Sequence, residues 1–229
     1  MGMRNVIILL ISAFFFQASA YAAPAYGTDM PAKGKMRVGY QVNVVLKHEL
    51  KEGYGKISSD QHYYDVSYGV LDWFVFDGKL GVGNTDRKGG NVANVDYGYS
   101  FAGGYGFRIR FYDDEPSGVK LTGGFHHISV HPRDVDIGAD RYESFLDDWQ
   151  LDLLCSKKFG RLTPYAGGKA SVFEHVYRVN KGDRKRVSPK YNGGVITGFD
   201  LKVRDDVTVN VEGRFIDEDA ISAGVYYSF

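Results

Sequence analysis

The chain has 229 residues, a formal net charge of zero and 44% hydrophobic residues, enough for one domain of ordinary size. The balanced charge excludes bulk nucleic-acid binding, and the lone Cys155 excludes an internal disulfide. No segment beyond residue 22 carries the roughly 18 apolar residues that a membrane-crossing helix needs.

Arg4 precedes the apolar run Val6 to Phe16, and Ala18-Ser19-Ala20 and Ala20-Tyr21-Ala22 supply small-residue cleavage sites. Residues 1–22 therefore read as a secretory signal peptide, with a core too short to anchor the protein. Residues 23–34 follow as a flexible periplasmic leader, and 35–229 as the folded unit.

Successive side chains of a strand point to opposite faces. The first predicted strand places Met36, Val38, Tyr40, Val42, Val44 and Leu46 on one face, with Arg37, Gly39, Gln41 and Asn43 on the other. A polar connection is expected over Lys47 to Gln61, then a second strand with Tyr64, Val66, Tyr68 and Val70 on its apolar face. Trp73, Phe74 and Phe76 mark the compact turn Asp72 to Asp77 as an interfacial aromatic belt. A weaker third strand is expected over Gly78 to Asn84, and a loop over Thr85 to Asn94.

The stretch Val95 to Phe111 organises the rest. Val95, Tyr97, Tyr99, Phe101, Tyr105, Phe107, Ile109 and Phe111 alternate with small or charged residues, which predicts one long strand with an aromatic face. A strand of about 17 residues is some three times the usual length, and its aromatic face needs a large apolar partner such as a bilayer. After a turn at Asp113 to Gly118, the fifth strand sets Val119, Leu121 and Phe125 against Lys120, Thr122 and His126. A polar loop, Pro132 to Tyr142, leads to a sixth, with Trp149, Leu151, Leu153 and Cys155 opposing Asp148, Gln150, Asp152 and Ser156. The seventh, Leu162 to Val179, has no assignable phase. A basic loop, Lys181 to Arg186, precedes strands over Tyr191 to Val203, Val207 to Phe215 and Ile221 to Phe229.

Ten such strands, with eight as the alternative count, predict an all-β fold: a transmembrane antiparallel up-and-down β-barrel. In lipid, only helices and edge-free sheets satisfy every backbone group. Long and short connections largely alternate, which puts both termini on the periplasmic side. A soluble β-sandwich would have to explain aromatic faces beside a glycine-rich, charged opposite face, which in a barrel simply looks into the lumen. Inward charges of both signs, Arg37, Asp65, Lys79, Arg108, Arg110, Lys120, Asp148, Asp152, Lys202, Glu212 and Arg214, predict a narrow, cross-linked interior without a wide pore.

The pattern over about residues 35 to 229, with its final strand ending in Phe229, resembles the outer-membrane β-barrel protein family. That resemblance implies export to the outer membrane of a Gram-negative envelope. The implied partners are outer-membrane lipids, lipopolysaccharide among them, and the barrel-assembly machinery during insertion. External Lys181, Arg184, Lys185 and Arg186 are then candidate contacts for lipopolysaccharide phosphates. The expected role is structural or surface-interactive.

One constellation points to a competing function. Strand phase puts His127 and Ser129 on the lipid-side face near the outer end of the fifth strand, with Glu143 at the start of the strand returning beside it. A serine nucleophile needs a base within reach and a carboxylate to orient that base. His127-Ile128-Ser129 and Glu143-Ser144-Phe145 resemble the outer-membrane lipid A 3-O-deacylases, an enzyme class acting at the outer leaflet. The resemblance implies Ser129 as nucleophile, His127 as base and Glu143 as orienting acid, although Val130 stands where those enzymes place an Asn. The plainer alternative is that these residues mark the polar rim where the strand leaves the membrane. No zinc spacing, phosphate-binding glycine loop or nucleic-acid motif stands out, so no cofactor or metal is expected.

Overall fold

Alternation of outward apolar and inward polar side chains folds the chain into one antiparallel sheet that closes on itself. The computed structural model describes residues 26–229, so the expected signal peptide lies outside the described residues. The strands are β1 (Met36–Glu49), β2 (Lys56–Leu71), β3 (Phe74–Lys88), β4 (Val95–Asp114), β5 (Val119–Val130), β6 (Val135–Ile137), β7 (Asp140–Lys157), β8 (Leu162–Val179), β9 (Lys185–Val187), β10 (Gly193–Lys202), β11 (Val207–Phe215) and β12 (Glu218–Ser228). Ten of them form the wall of a closed barrel, with β7 pairing β8 and β1 pairing β12, while the short β6 and β9 add to β7 and β8. Phe229 completes the seam, its amide and carbonyl exchanging hydrogen bonds with Met36. Both ends of the barrel strands nearest the termini lie together, here called the terminal end; the opposite rim is the loop end.

Several element boundaries differ from expectation, each for a local reason. The connection expected over Lys47 to Gln61 shrinks to residues 50–55, because β1 runs to Glu49 and β2 already starts at Lys56. The outward residues there, Asp60 and His62, are polar and hide the alternation, while Ile57, Ser59, Gln61 and Tyr63 point inward. The turn after β2 is only residues 72–73, and β3 continues to Lys88.

In β4 the aromatic face is interrupted. The register against β3 shifts between Gly83/Ser100 and Thr85/Tyr97, so β4 carries an extra residue there. Val95 and Tyr97 therefore turn into the lumen, whereas Tyr99, Phe101, Tyr105 and Phe111 stay outside. The unphased β8 has its large side chains inside: Tyr165, Lys169, Phe173, His175 and Tyr177 are buried and Ala166 and Ala170 face out.

The outer wall is apolar and bare. Leu46, Tyr64, Leu80, Phe76, Ile221 and Val225 are all at least half exposed. A contiguous apolar surface on this scale is not one that water supports. Cys155 lies on this outer wall as a free thiol, on the face expected for it.

The interior is filled in three layers. At the terminal end, residues 26–30, expected as a free leader, enter the barrel: Tyr26, Thr28 and Met30 are buried. The Arg108 guanidinium donates to the carbonyls of Tyr26, Gly27 and Asp29 at 3.3, 3.2 and 3.0 Å, and Arg37 donates to those of Asp29 and Tyr26 at 2.6 and 3.2 Å. The Asp200 carboxylate accepts from the Thr28 amide and hydroxyl and the Asp29 amide at 2.8, 2.9 and 3.0 Å. Lys79 lies 3.9 Å above the Tyr26 ring.

The middle layer is ionic. Arg108 holds Asp77 through two contacts of 2.8 Å, Arg214 holds Glu218 at 2.8 Å and Glu212 at 3.1 Å, and Lys169 holds Asp217 at 2.9 Å as well as Glu218. His126 meets Asp152 at 3.0 Å. Of the charges expected inside, Arg110 and Lys120 instead meet Asp113 near the terminal rim, and Lys202 is about half exposed beside Asp29. Towards the loop end the filling turns apolar, with Leu50, Ile57, Tyr63, Ala102, Ile128, Val130, Leu146, Phe173, Tyr177 and Val187 packed together. Leu50 and Val187 reach this layer from the rim, Leu50 from the segment after β1 and Val187 from β9.

Candidate functional site

Three polar features stand out on the outer face and the loop-end rim. The first lies where β5 and β7 pair with Ser129 opposite Asp147 and His127 opposite Trp149, all on the outer face. The Ser129 hydroxyl donates to Asp147 Oδ1 at 2.7 Å, and His131 Nε2 sits 2.9 Å from Ser129 Oγ. His127 takes a different neighbour: its ring stacks on Trp149 at 3.8 Å between centroids, with Tyr105 at 5.1 Å. Glu143 lies opposite Arg178 in the register and accepts from its Nε at 2.6 Å. The expected trio of Ser129, His127 and Glu143 is thus not one hydrogen-bonded set; Ser129 gathers His131 and Asp147 instead.

The order of these groups matters chemically. A serine is activated when an imidazole stands between hydroxyl and carboxylate, taking the proton from one and being oriented by the other. Here the hydroxyl stands in the middle. With its hydrogen directed to Asp147, it accepts from His131 Nε2–H, which satisfies all three polar groups. Val130 points inward into the apolar layer and offers no side-chain donor. Next to His131 is a pocket of about 190 Å³ lined by Asp134, Glu143, Phe145, Tyr177, Arg178 and Arg184.

A second outward polar set was not legible in the sequence, because it falls where a loop was expected. Tyr99 donates to Asp60 at 2.7 Å, the Tyr40 hydroxyl meets His62 Nδ1 at 2.7 Å, and His62 Nε2 lies 3.5 Å from Asp60. The signal that could have found it is Asp60 and His62 two apart on one strand face.

The third feature is the basic rim. In the 181–186 segment Arg186 reaches Glu174 at 3.3 Å, and the Arg184 guanidinium lies 5.5 Å from the Phe145 ring centre. Lys185 pairs with Tyr177 in the β8–β9 ladder, and Lys181 is exposed in a left-handed conformation. Across the rim, Lys190 bonds Glu49 at 3.0 Å, and that hydrogen bond raises the ammonium's pKa above its ordinary value. Among the described residues no cluster of His, Cys, Asp or Glu is arranged to hold a metal ion.

No family model matches the chain, and no curated protein matches it. Among solved structures, it is similar to the transport unit of the autotransporter AIDA-I from Escherichia coli at 11% identity and a TM-score of 0.45, covering 98% of this chain and 97% of that one. The outer membrane protease OmpT from Escherichia coli matches at 10% identity and a TM-score of 0.47, over 88% of this chain and 99% of that one. The outer membrane protein OprG from Pseudomonas aeruginosa matches at 11% and 0.45, over 87% and 98%. The latter two are described as outer-membrane proteins. Likenesses this remote carry no activity from those proteins to this chain.

Proposed function

We propose that this protein is an integral barrel of the outer membrane whose lumen is closed and whose work is done at the loop-end surface. The observation that carries this is the three-layered interior. A buried peptide leader, interlocked ion pairs and an apolar layer of strand side chains joined by Leu50 and Val187 follow one another along the axis. Each guanidinium or ammonium in the middle layer is tied to buried carboxylates, Glu218 being shared by Arg214 and Lys169, so no side chain there swings aside cheaply. The bare apolar wall supplies the membrane partner. In a planar bilayer the reconstituted protein is expected to show no steady conductance, and stable channel openings would refute closure.

The surface partner we propose is lipopolysaccharide, whose phosphates would meet Lys181, Arg184, Lys185 and Arg186. Neutralising Arg184, Lys185 and Arg186 is expected to weaken a salt-sensitive affinity for lipopolysaccharide; unchanged affinity would remove this partner.

A second proposal, a lipid esterase, is favoured by one observation: Ser129 on the outer face has an imidazole and a carboxylate within hydrogen-bond reach beside a pocket holding two arginines. In it Ser129 is the nucleophile and His131, once turned to accept, the base nearest to hand; His127 would have to leave Trp149 to serve. Fatty-acid release from lipopolysaccharide that disappears in Ser129→Ala would establish it. No release from wild type in a detergent that supports lipid A deacylases would remove it.

A further inference from the structure

At the loop end, three rim segments converge on a cavity that the lipopolysaccharide contacts above do not use. Residues 50–55 close on themselves, the Leu50 amide donating to the Gly55 carbonyl at 2.9 Å and the Tyr54 amide to that of Lys51 at 3.1 Å. The 89–94 segment is stitched to them by Asn91 N–H donating to the Gly53 carbonyl at 2.8 Å. The 188–190 segment is stitched on by Lys51 N–H to the Ser188 carbonyl at 3.0 Å and Lys190 N–H to the Glu49 carbonyl at 2.8 Å. Leu50 is buried in the apolar layer below, and Tyr54 packs against it. The cavity is therefore held by backbone bonds and anchored in the core rather than formed by free loops.

Its volume is about 600 Å³, and five lysines line it, Lys47, Lys51, Lys56, Lys88 and Lys190, against two glutamates, Glu49 and Glu52. Glu49 is already shared between Lys47 at 2.7 Å and Lys190 at 3.0 Å, and Lys88 meets Asp86 at 3.3 Å. Lys51 and Lys56 have no acidic partner among the described residues. Between them the cavity is lined by backbone. Gly53, Gly55, Gly89 and Gly90 all have positive φ, and a Cβ at Gly55 or Gly90 would meet a carbonyl oxygen at 2.3 or 2.1 Å. Gathering ammonium groups without matching acids is unfavourable in itself and is offset when an anion joins them. The glycines let the rim segments pack backbone to backbone, which fixes where the flanking lysines stand.

We infer that this cavity binds a phosphate-bearing anion carrying more than one negative charge, with Lys51 and Lys56 as its principal contacts. The source is either the phosphorylated headgroup of an outer-leaflet glycolipid or a soluble phosphate compound. The site gives the proposed loop-end surface a ligand class and so rests on that proposal, whose own test, conductance, does not involve these lysines.

The test uses the full chain folded in a phosphate-free, uncharged detergent. Calorimetric titration with inorganic pyrophosphate reports the soluble source. Binding of lipopolysaccharide, compared before and after enzymatic removal of its phosphates, reports the lipid source. Lys51→Gln/Lys56→Gln is expected to weaken whichever probe binds by about tenfold or more and to flatten its salt dependence. Lys51→Arg/Lys56→Arg should retain binding, and so should Lys157→Gln/Lys158→Gln at the terminal end. Binding of pyrophosphate assigns a soluble ligand; binding only of phosphorylated lipopolysaccharide assigns the headgroup. If neither probe distinguishes Lys51→Gln/Lys56→Gln from wild type, or if the terminal-end variant loses as much, the site is refuted.

Discussion

Gly27 offers a way to unseat the leader without touching the barrel wall. Its φ is +71°, and a Cβ built there would lie 2.4 Å from Asp200 Oδ1 and 2.7 Å from Asn210 Nδ2. Neither can retreat freely, because Asn210 Nδ2 bonds Asp200 at 2.9 Å and Asp200 also holds Thr28 and Asp29. Placing an L-residue in the left-handed region costs about 1–2 kcal/mol before any clash is counted. The seated leader gains several charge-assisted hydrogen bonds, each worth about 1.5–3 kcal/mol net. Ordering each residue of backbone opposes this by about 1–2 kcal/mol. The hydrogen bonds outweigh the ordering cost and keep the leader seated, and a penalty of about 2 kcal/mol shifts that seating equilibrium about thirtyfold at 1.4 kcal/mol per decade. In Gly27→Ala, hydrogen exchange at the Thr28 and Asp29 amides is therefore expected to accelerate by about thirtyfold or more, while the amides of β10 and β11 keep their protection. Unchanged exchange at Thr28 and Asp29 would refute the claim that the leader is held as a closely fitted plug.

Arg214→Met would take the guanidinium from Glu212 and Glu218, leaving Lys169 to Glu218 and the Tyr165 hydroxyl to Glu212; it should destabilise the barrel by about 3 kcal/mol, read as a lower urea midpoint in detergent. Trp149 lies on the outer face that the proposed function sets in lipid, so in a Trp73→Phe background its fluorescence should be quenched by brominated acyl chains, and insensitivity to them would contradict the wall assignment. Ser129→Ala leaves Asp147 and His131 at the edge of the apolar wall with one fewer partner; the expected loss is about 1 kcal/mol in a thermal melt, and a stabilised variant would argue that the contact is strained rather than satisfied.

The wall was legible where outward positions are apolar, as in the first half of β5, in β11 and in β12 from Ile221, because period-two alternation reports only which face is wet. It failed where the outward face is itself polar, at Asp60 and His62, and where the inward face is bulky, at Tyr165, Phe173 and Tyr177 in β8. The reversal at Val95 and Tyr97 comes from one extra residue in β4, which shifts every side chain beyond it to the other face. The histidine-rich end of β5 was visible as a cluster, but its partners were not. Phase places Ser129, His131, Asp147 and His127 on one face without saying which imidazole turns toward the hydroxyl, and stacking on Trp149 decides that for His127. The leader gave no signal, since its hold is through carbonyls and amides that any sequence possesses.

Closure of the lumen is tested most directly by single-channel recording of the full-length protein in a planar bilayer, with and without residues 26–30. A closed barrel predicts no steady current from the intact chain, and none without the leader, because the ionic and apolar layers remain. Discrete, long-lived openings of the intact protein would contradict it.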